Sequence, residues 1–115
     1  MKRRARSRLV TSLTMELREQ DGGRAIALRV GETATIVLAE ARTGGYRWKV
    51  EVVGDACALT ERPMVLNQGL GARNERAWDV IAVRNGESRI VFAYARPWER
   101  RLEKTLAFEI NVRDG

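Results

Sequence analysis

An all-β fold is predicted by two observations on this sequence. From Leu13 onward, apolar and polar residues alternate with a period of two, and turn signals rich in glycine, asparagine and proline separate the alternating runs. A long stretch with the period of an amphipathic helix is not found. Two packed sheets that each bury one face explain this pattern. We therefore predict an immunoglobulin-like antiparallel β-sandwich of about seven or eight strands, with a small closed barrel as the alternative.

Seven alternating runs define the predicted strands and their buried faces. In chain order, the inward residues are Leu13, Met15 and Leu17; Ile26, Leu28 and Val30; Ala34, Ile36 and Leu38; Tyr46, Trp48, Val50 and Val52; Trp78, Val80 and Ala82; Ile90, Phe92 and Tyr94; and Leu106, Phe108, Ile110 and Val112. A weaker segment lies around residues 58–66. Pro63 within it predicts an edge strand or a break, because proline cannot donate to a sheet ladder.

Three short signals predict turns between these runs. Asp21-Gly22-Gly23 and Gly54-Asp55 each combine residues that tolerate sharp bends. Asn85-Gly86 is the strongest hairpin signal in the sequence, since both residues accept the positive φ angles of a type I′ turn.

Length and charge predict one domain with a basic arm. A chain of 115 residues suffices for a single hydrophobic core. The net charge is +6, but Lys2, Arg3, Arg4, Arg6 and Arg8 precede the first patterned run, and the remaining 16 basic and 15 acidic residues nearly balance. We predict a flexible arm over residues 1–11 and a sandwich domain over residues 12–115.

The composition argues against several classes of function. Without histidine, and with Cys57 as the single cysteine, the chain has no Ser/His/Asp or Cys/His catalytic set, no intramolecular disulfide and no histidine or multi-cysteine zinc site. Its carboxylates are scattered without evident pairing. We expect a soluble, monomeric protein without enzymatic activity, metal or cofactor. The chain shows no export signal and no membrane-spanning run, and its compartment is left open.

Three turns differ in character from ordinary connections. We call residues 41–46 the first loop, residues 67–74 the second loop and residues 96–99 the third loop. The first contains Thr43-Gly44-Gly45-Tyr46, the second Gly69-Leu70-Gly71-Ala72 and the third Arg96-Pro97-Trp98. Each has a structural interpretation: a glycine turn, a flexible connector, and a helix start at Pro97. In an immunoglobulin-like strand order, however, all three connections emerge at one end of the sandwich, where exposed aromatic and arginine residues typically anchor interfaces.

These motifs resemble those of the chagasin-type inhibitors of papain-like cysteine proteases. That family's first loop reads Asn-Pro-Thr-Thr-Gly-Tyr/Phe, and Thr43, Gly45 and Tyr46 match it. Its second loop reads Gly-x-Gly-Gly, of which this chain keeps two glycines, and the following strand likewise contains a tryptophan, Trp78. Its third loop reads Arg-Pro-Trp/Phe, which residues 96–98 match in full. The similarity covers roughly residues 12–112. The chain departs from the family at Ala41-Arg42, Gly44 and Ala72.

The resemblance implies a reversible inhibitor that occludes a protease cleft with three loops. Thr43 would lie next to the protease's catalytic cysteine and histidine, and Gly69-Leu70-Gly71-Ala72 would form backbone hydrogen bonds along the cleft wall. Arg96 and Pro97 would direct Trp98 against an apolar protease surface on the other side. The protease-binding residues are thus expected to be Thr43, Gly44, Gly45, Tyr46, Gly69, Leu70, Gly71, Ala72, Arg96, Pro97 and Trp98.

Two other functions are compatible with the same residues. The loop edge of an immunoglobulin-like domain can serve a non-inhibitory binding or adhesion module. A nucleic-acid binder is the less favoured alternative, resting on the basic arm together with Arg96, Arg100 and Arg101.

Overall fold

The structure is a computed structural model, and it describes residues 15–41, 44–63 and 74–114. Its eight strands are β1 (Met15–Leu17), β2 (Ala25–Arg29), β3 (Thr33–Glu40), β4 (Arg47–Val53), β5 (Cys57–Glu61), β6 (Asn74–Ala82), β7 (Gly86–Ala95) and β8 (Leu102–Arg113). A single turn of 3-10 helix, Glu19–Asp21, lies between β1 and β2. The described part of the chain contains no helix that is long and apolar enough to cross a membrane. The predicted arm lies outside the described residues and stays a prediction.

The strands form two four-stranded sheets, which confirms the predicted sandwich. The first sheet has the order β1-β3-β6-β5 and the second the order β2-β8-β7-β4. The central ladders are antiparallel, whereas two outer pairs, β1 with β3 and β2 with β8, are parallel. The first part of the weak segment lies in β5, an edge strand that ends two residues before Pro63, as that proline predicted, and residues 64–66 lie outside the described residues.

The predicted inward faces form the core. Ala34, Ile36 and Leu38 from β3 are all buried, and they belong to the same hydrophobic cluster as Ile90 from the second sheet. Aromatic rings fill the centre of the core, and they belong to Trp48, Trp78, Phe92, Tyr94 and Phe108. Phe92 is the hub, with its ring centroid 4.8 Å from that of Trp78 and 6.0 Å from that of Phe108. Such edge-to-face contacts add to the stability that burial alone provides.

The hairpin prediction at Asn85-Gly86 is wrong. The strand before this turn, β6, belongs to the first sheet, whereas β7 pairs with β4 and β8 in the second. After β6, the amides of Val83 and Arg84 both donate to the carbonyl of Ala56, at 2.8 and 3.2 Å, so the chain leaves its ladder. The turn therefore bends the backbone as expected, but it carries the chain across the sandwich.

Two residues predicted to face inward are exposed. Met15 begins β1 at the edge of its sheet, and Val30 directly follows the last residue of β2. Both lie at a strand end, where the opposite sheet no longer covers the inward face. Leu13 lies outside the described residues.

Candidate functional site

The connections that hold the three loops leave the sandwich at the same end. In the first sheet, Glu40 at the end of β3 pairs with Asn74 at the start of β6. In the second, Arg47 at the start of β4 pairs with Ala95 at the end of β7. The first loop thus crosses from one sheet to the other, while the second and third loops each connect adjacent strands within one sheet.

The first loop is fastened at both of its roots. The backbone amide of Ala41 donates to the hydroxyl of Tyr94 at 3.2 Å. On the other side, the amide of Trp48 donates to the buried carboxylate of Glu40 at 3.0 Å, and its indole Nε1 donates to the carbonyl of Ala39, also at 3.0 Å. Because side chains of the framework bind both ends, the core fixes the positions of the two ends of the loop.

The two glycines of the first loop have left-handed backbone conformations. Gly44 has φ of 89° and Gly45 has φ of 79°, values that other residues adopt only with strain. The carbonyl of Gly44 accepts a hydrogen bond of 2.7 Å from Nε of Arg96 in the third loop. This bond links the two loops directly.

A stack of side chains lies beneath this link. The guanidinium of Arg96 is 4.5 Å from the centre of the Tyr46 ring, and Tyr46 stacks on Tyr94 with ring centroids 5.4 Å apart. Tyr94 in turn packs on Trp48 at 4.6 Å. A cation over an aromatic face is favourable, and a planar guanidinium stacks there better than an ammonium does. Arg96 is therefore held by the first loop and holds it in return.

The third loop is a tight turn that presents Trp98. The amide of Glu99 donates to the carbonyl of Arg96 at 3.0 Å, and Pro97 occupies the second position of that turn, where its fixed φ is favoured. The interpretation as a helix start is thereby excluded. Trp98 is 71% exposed, more than any other large apolar side chain among the described residues.

Trp98 lies against Gly45. A β-carbon at Gly45 would overlap the six-membered ring of Trp98, so the close approach requires glycine at this position. An indole that is fixed on one face and open on the other is suited to contact with another molecule, since little ordering entropy is lost on binding.

A polar depression lies next to the third loop. Tyr46, Arg96, Glu99, Arg101 and Glu103 line a shallow polar depression of about 290 Å³. Arg96 and Glu99 form an ion pair at 3.6 Å. Within the ranges that the structure describes, no group of three or more potential metal ligands is found.

The structure brings together six of the predicted site residues: Gly44, Gly45, Tyr46, Arg96, Pro97 and Trp98. Thr43 and the whole of Gly69-Leu70-Gly71-Ala72 lie outside the described residues. For those five, the assignment stays a prediction.

Sequence reasoning missed three charged residues beneath this edge: Glu40, Glu61 and Arg76. Arg76 forms ion pairs with Glu40 at 3.1 Å and with Glu61 at 2.9 Å. Burial alone would lower the pKa of Arg76, but the hydrogen bonds that it donates to Glu61 and Glu40 outweigh burial and raise that pKa above its ordinary value. A signal was present, because Glu40 continues the inward series of Ala34, Ile36 and Leu38, and Arg76 precedes that of Trp78.

Comparison with known proteins gives one family. The model of the chagasin family peptidase inhibitors, I42, matches residues 27–112. No curated protein sequence matches the chain.

Several solved structures have a similar fold. The cysteine protease inhibitor EhICP2 from Entamoeba histolytica has a TM-score of 0.77 at 20% identity, over 87% of this chain and 96% of that one. Amebosin has a TM-score of 0.71 at 26% identity, over 87% and 98%. PbICP-C, solved in complex with falcipain-2, has a TM-score of 0.64 at 18% identity, over 87% and 91%.

Proposed function

The chain belongs to the chagasin family of peptidase inhibitors, and from that premise we propose that it inhibits papain-like cysteine proteases by reversible occlusion. The proposed inhibitory edge consists of the first, second and third loops. The edge enters the active-site cleft as a wedge, and no bond of the inhibitor is presented for cleavage.

One observation carries this proposal: the first and third loops are joined directly, and an exposed tryptophan lies at their contact. Arg96 donates to the carbonyl of Gly44 at 2.7 Å, and Trp98 covers Gly45 while remaining 71% exposed. A large indole that is exposed to solvent and packed on a glycine contributes little to the packing of the core. It is the kind of side chain that dominates interface energies when a partner buries it.

Each loop has a distinct task in this mechanism. The first loop occupies the centre of the cleft, with Thr43 beside the protease's catalytic cysteine and histidine. The second loop runs along one wall and forms backbone hydrogen bonds in the manner of an extended substrate. Trp98 contacts an apolar surface on the other wall. The partner class is supported by the structural neighbour PbICP-C, which was solved bound to falcipain-2.

The framework explains how short loops can bind tightly. Both roots of the first loop are bonded to core side chains, so docking orders few additional groups. Three adjacent loops supply an interface of about 800 Å² per partner, the usual size for protease–inhibitor complexes.

Stoichiometric titration tests the proposal. Papain of known active-site concentration is mixed with increasing amounts of the protein, and residual hydrolysis of a fluorogenic peptide is measured. We expect a linear fall to zero at one inhibitor per protease, recovery of activity on dilution, and an inhibitor of unchanged mass after incubation. Trypsin, a serine protease, serves as the control and should retain full activity.

The alternatives give different outcomes. Papain activity that is unaffected by excess protein, together with the same result for a cathepsin, would contradict the proposal and favour a non-inhibitory binding module. An inhibitor that is cleaved stoichiometrically would contradict occlusion. DNA binding that weakens with salt and disappears on deletion of residues 1–8 would indicate the basic arm instead.

A further inference from the structure

Three charged side chains meet at the loop-bearing end of the first sheet, with Glu40 and Arg76 largely buried and Glu61 partly exposed. Glu40 ends β3, Glu61 ends β5, and Arg76 lies near the start of β6. The side chains of Glu40 and Arg76 are only 3% and 15% exposed. Charges are rarely placed at such positions unless they are paired, because their removal from water is costly.

The guanidinium of Arg76 binds three separate strands. Its Nε and Nη2 donate to the two oxygens of Glu61 at 2.9 and 3.0 Å, a two-pronged contact with fixed geometry. Its Nη1 donates to the carboxylate of Glu40 at 3.1 Å and to the carbonyl of Trp48 at 2.9 Å. Since Trp48 belongs to β4, this last bond crosses from the first sheet to the second.

These partners are the roots of two loops. Glu40 directly precedes the first loop, and Trp48 follows it after one residue. Glu61 ends the strand before the second loop, and Arg76 itself lies just beyond it. Glu40 also accepts the amide of Trp48 at 3.0 Å, which closes the base of the first loop. All four roots therefore meet at one guanidinium.

We propose that Arg76 is a positioning residue for inhibition: it fixes the first and second loops relative to each other before the protease arrives. This inference rests on the proposed function. Arg76 lies beneath the edge and acts through the carboxylates of Glu40 and Glu61 and the main-chain carbonyl of Trp48. A cleft that binds two loops at once requires a defined separation between them. If the loops are held too loosely, most of the benefit of positioning them before binding is lost.

Stability alone is a poor explanation for this arrangement. A buried ion network is often no more stabilising than apolar side chains of the same volume, since the cost of removing charges from water offsets their attraction. A hydrophobic residue, however, has no directional bonds with which to hold four chain segments. The guanidinium fork supplies direction, and lysine cannot replace it because an ammonium lacks the planar geometry.

The test compares Arg76→Met, combined with Glu40→Gln so that no unpaired carboxylate is left buried, with the unmodified protein. Amide hydrogen exchange of the free protein is measured over residues 41–47 and 62–74. Dissociation from papain is measured by surface plasmon resonance. We expect exchange at both roots and the dissociation rate constant each to rise about tenfold, with a smaller change in the association rate constant, because related complexes differ mainly in dissociation. Arg76→Lys should not restore the original rate.

The control separates positioning from general loss of stability. Ile110→Val truncates a fully buried core residue of β8, far from the three charges in the fold. Its melting temperature should fall while dissociation from papain stays unchanged. Ile110→Ala provides a larger decrease where one is needed to match the Arg76 variant.

The outcomes distinguish this inference from the proposed function. If the unmodified protein fails to inhibit papain, the function is wrong, and hydrogen exchange still decides whether Arg76 holds the two roots. If the unmodified protein inhibits and the Arg76 variant shows unchanged exchange and dissociation, the positioning role is overturned. Acceleration of exchange across the whole sandwich, as in the Ile110 variants, would also overturn it.

Discussion

The two ends of the sandwich are fastened in different ways. At the end opposite the loops, most of the bonds that hold the turns join main-chain groups: the amide of Gly31 donates to the carbonyl of Ala82 at 2.8 Å, and the amide of Ala82 donates to the carbonyl of Glu32 at 2.9 Å. Val83 likewise donates to the carbonyl of Ala56 at 2.8 Å. Two side chains also accept amides there, Glu32 from Arg29 and Ser88 from Ala56. At the loop end, a main-chain bond closes the third loop, but side chains connect one loop or sheet to another, as Arg76 and Arg96 show.

This difference separates stability from recognition. Main-chain bonds can form whatever the side chain is, so the turns at the opposite end are determined largely by backbone conformation and by glycines. At the loop end, a few side chains determine the position of an exposed surface. Substitutions at the opposite end should therefore change the free energy of unfolding, and those at the loop end should change inhibition. The predictions below test this division, beginning with the largest effect.

Gly54→Ala should lower the free energy of unfolding by about 3 kcal/mol, because it adds both backbone strain and a steric clash. Gly54 has φ of 96°, and a β-carbon there would lie 2.6 Å from the carbonyl oxygen of Glu87. Urea denaturation measures the change. Gly31→Ala is the matched control: its φ is 95°, but nothing lies within 4 Å of the added carbon, so it should cost only about 1 kcal/mol. Papain inhibition that weakened in either folded variant would contradict the proposed division.

Trp98→Ala should reduce affinity for papain by about 2 kcal/mol, roughly 30-fold in the inhibition constant, if the protease buries the indole. Its effect on the free energy of unfolding should stay within about 0.5 kcal/mol because the ring is largely exposed. Val53→Ala removes an apolar side chain of comparable exposure, 54%, at the far end of β4 and should leave inhibition unchanged. An unaltered inhibition constant for Trp98→Ala would remove this residue from the site.

Gly45→Ala should weaken papain inhibition by about 1 kcal/mol, since the added carbon displaces the ring of Trp98 and strains the first loop. The effects of Gly45→Ala and Trp98→Ala on inhibition should not be additive, because Gly45→Ala acts largely through the tryptophan. Gly23→Ala is the control, with φ of 89° like that of the loop glycines and nothing within 4 Å of its added carbon. Full additivity in the double variant would show that Gly45 and Trp98 contribute independently.

We expect the smallest effect from acid, which acts on an ion pair of the first sheet that lies between the two ends of the sandwich. The hydrogen bond from Arg62 lowers the pKa of Asp79, and one from Thr35 contributes in the same direction. A carboxyl whose pKa is lowered by folding stabilises the protein at pH values above its usual pKa of about 4. This contribution is lost as the pH falls through the lowered pKa. Asp79→Asn should therefore flatten the decline of unfolding free energy at acid pH.

Denaturation of Asp79→Asn at several pH values checks this expectation. Asp55→Asn alters an exposed carboxylate, paired with Arg84 at 3.0 Å on the surface, and serves as the comparison. Neither variant should change papain inhibition at neutral pH. A pH dependence identical to that of the unmodified protein would show that Asp79 does not contribute to acid stability.

Alternation predicted the strands well because each central strand has one buried face. Along β7, Ile90, Phe92 and Tyr94 are all buried as expected. The hairpin prediction at Asn85-Gly86 was wrong because turn chemistry specifies backbone angles and not the partner of the following strand. Which sheet accepts β7 depends on residues distant in sequence, among them those of β4 and β8.

The site was predictable where glycine, proline and tryptophan gave it a local signature. Trp98 was expected to be exposed in a short turn, and it is. The contact between Gly45 and the indole was not predictable, since it joins residues separated by 53 positions. Glu40 and Arg76 continue inward series, but only the paired geometry shows that their charges bind each other across the strand ends.

The crossing of the first loop between sheets gives the molecule a modular design. This loop spans the seam of the sandwich, while its two neighbours each cap a single sheet. The second loop can thus be lengthened, shortened or exchanged without threading new chain through the core, since its anchoring strands keep their ladder. A new third loop has to keep Arg96, because that residue binds the carbonyl of Gly44. Evolution or engineering can accordingly retune the rims of the wedge one at a time, with the seam-spanning loop as the fixed reference.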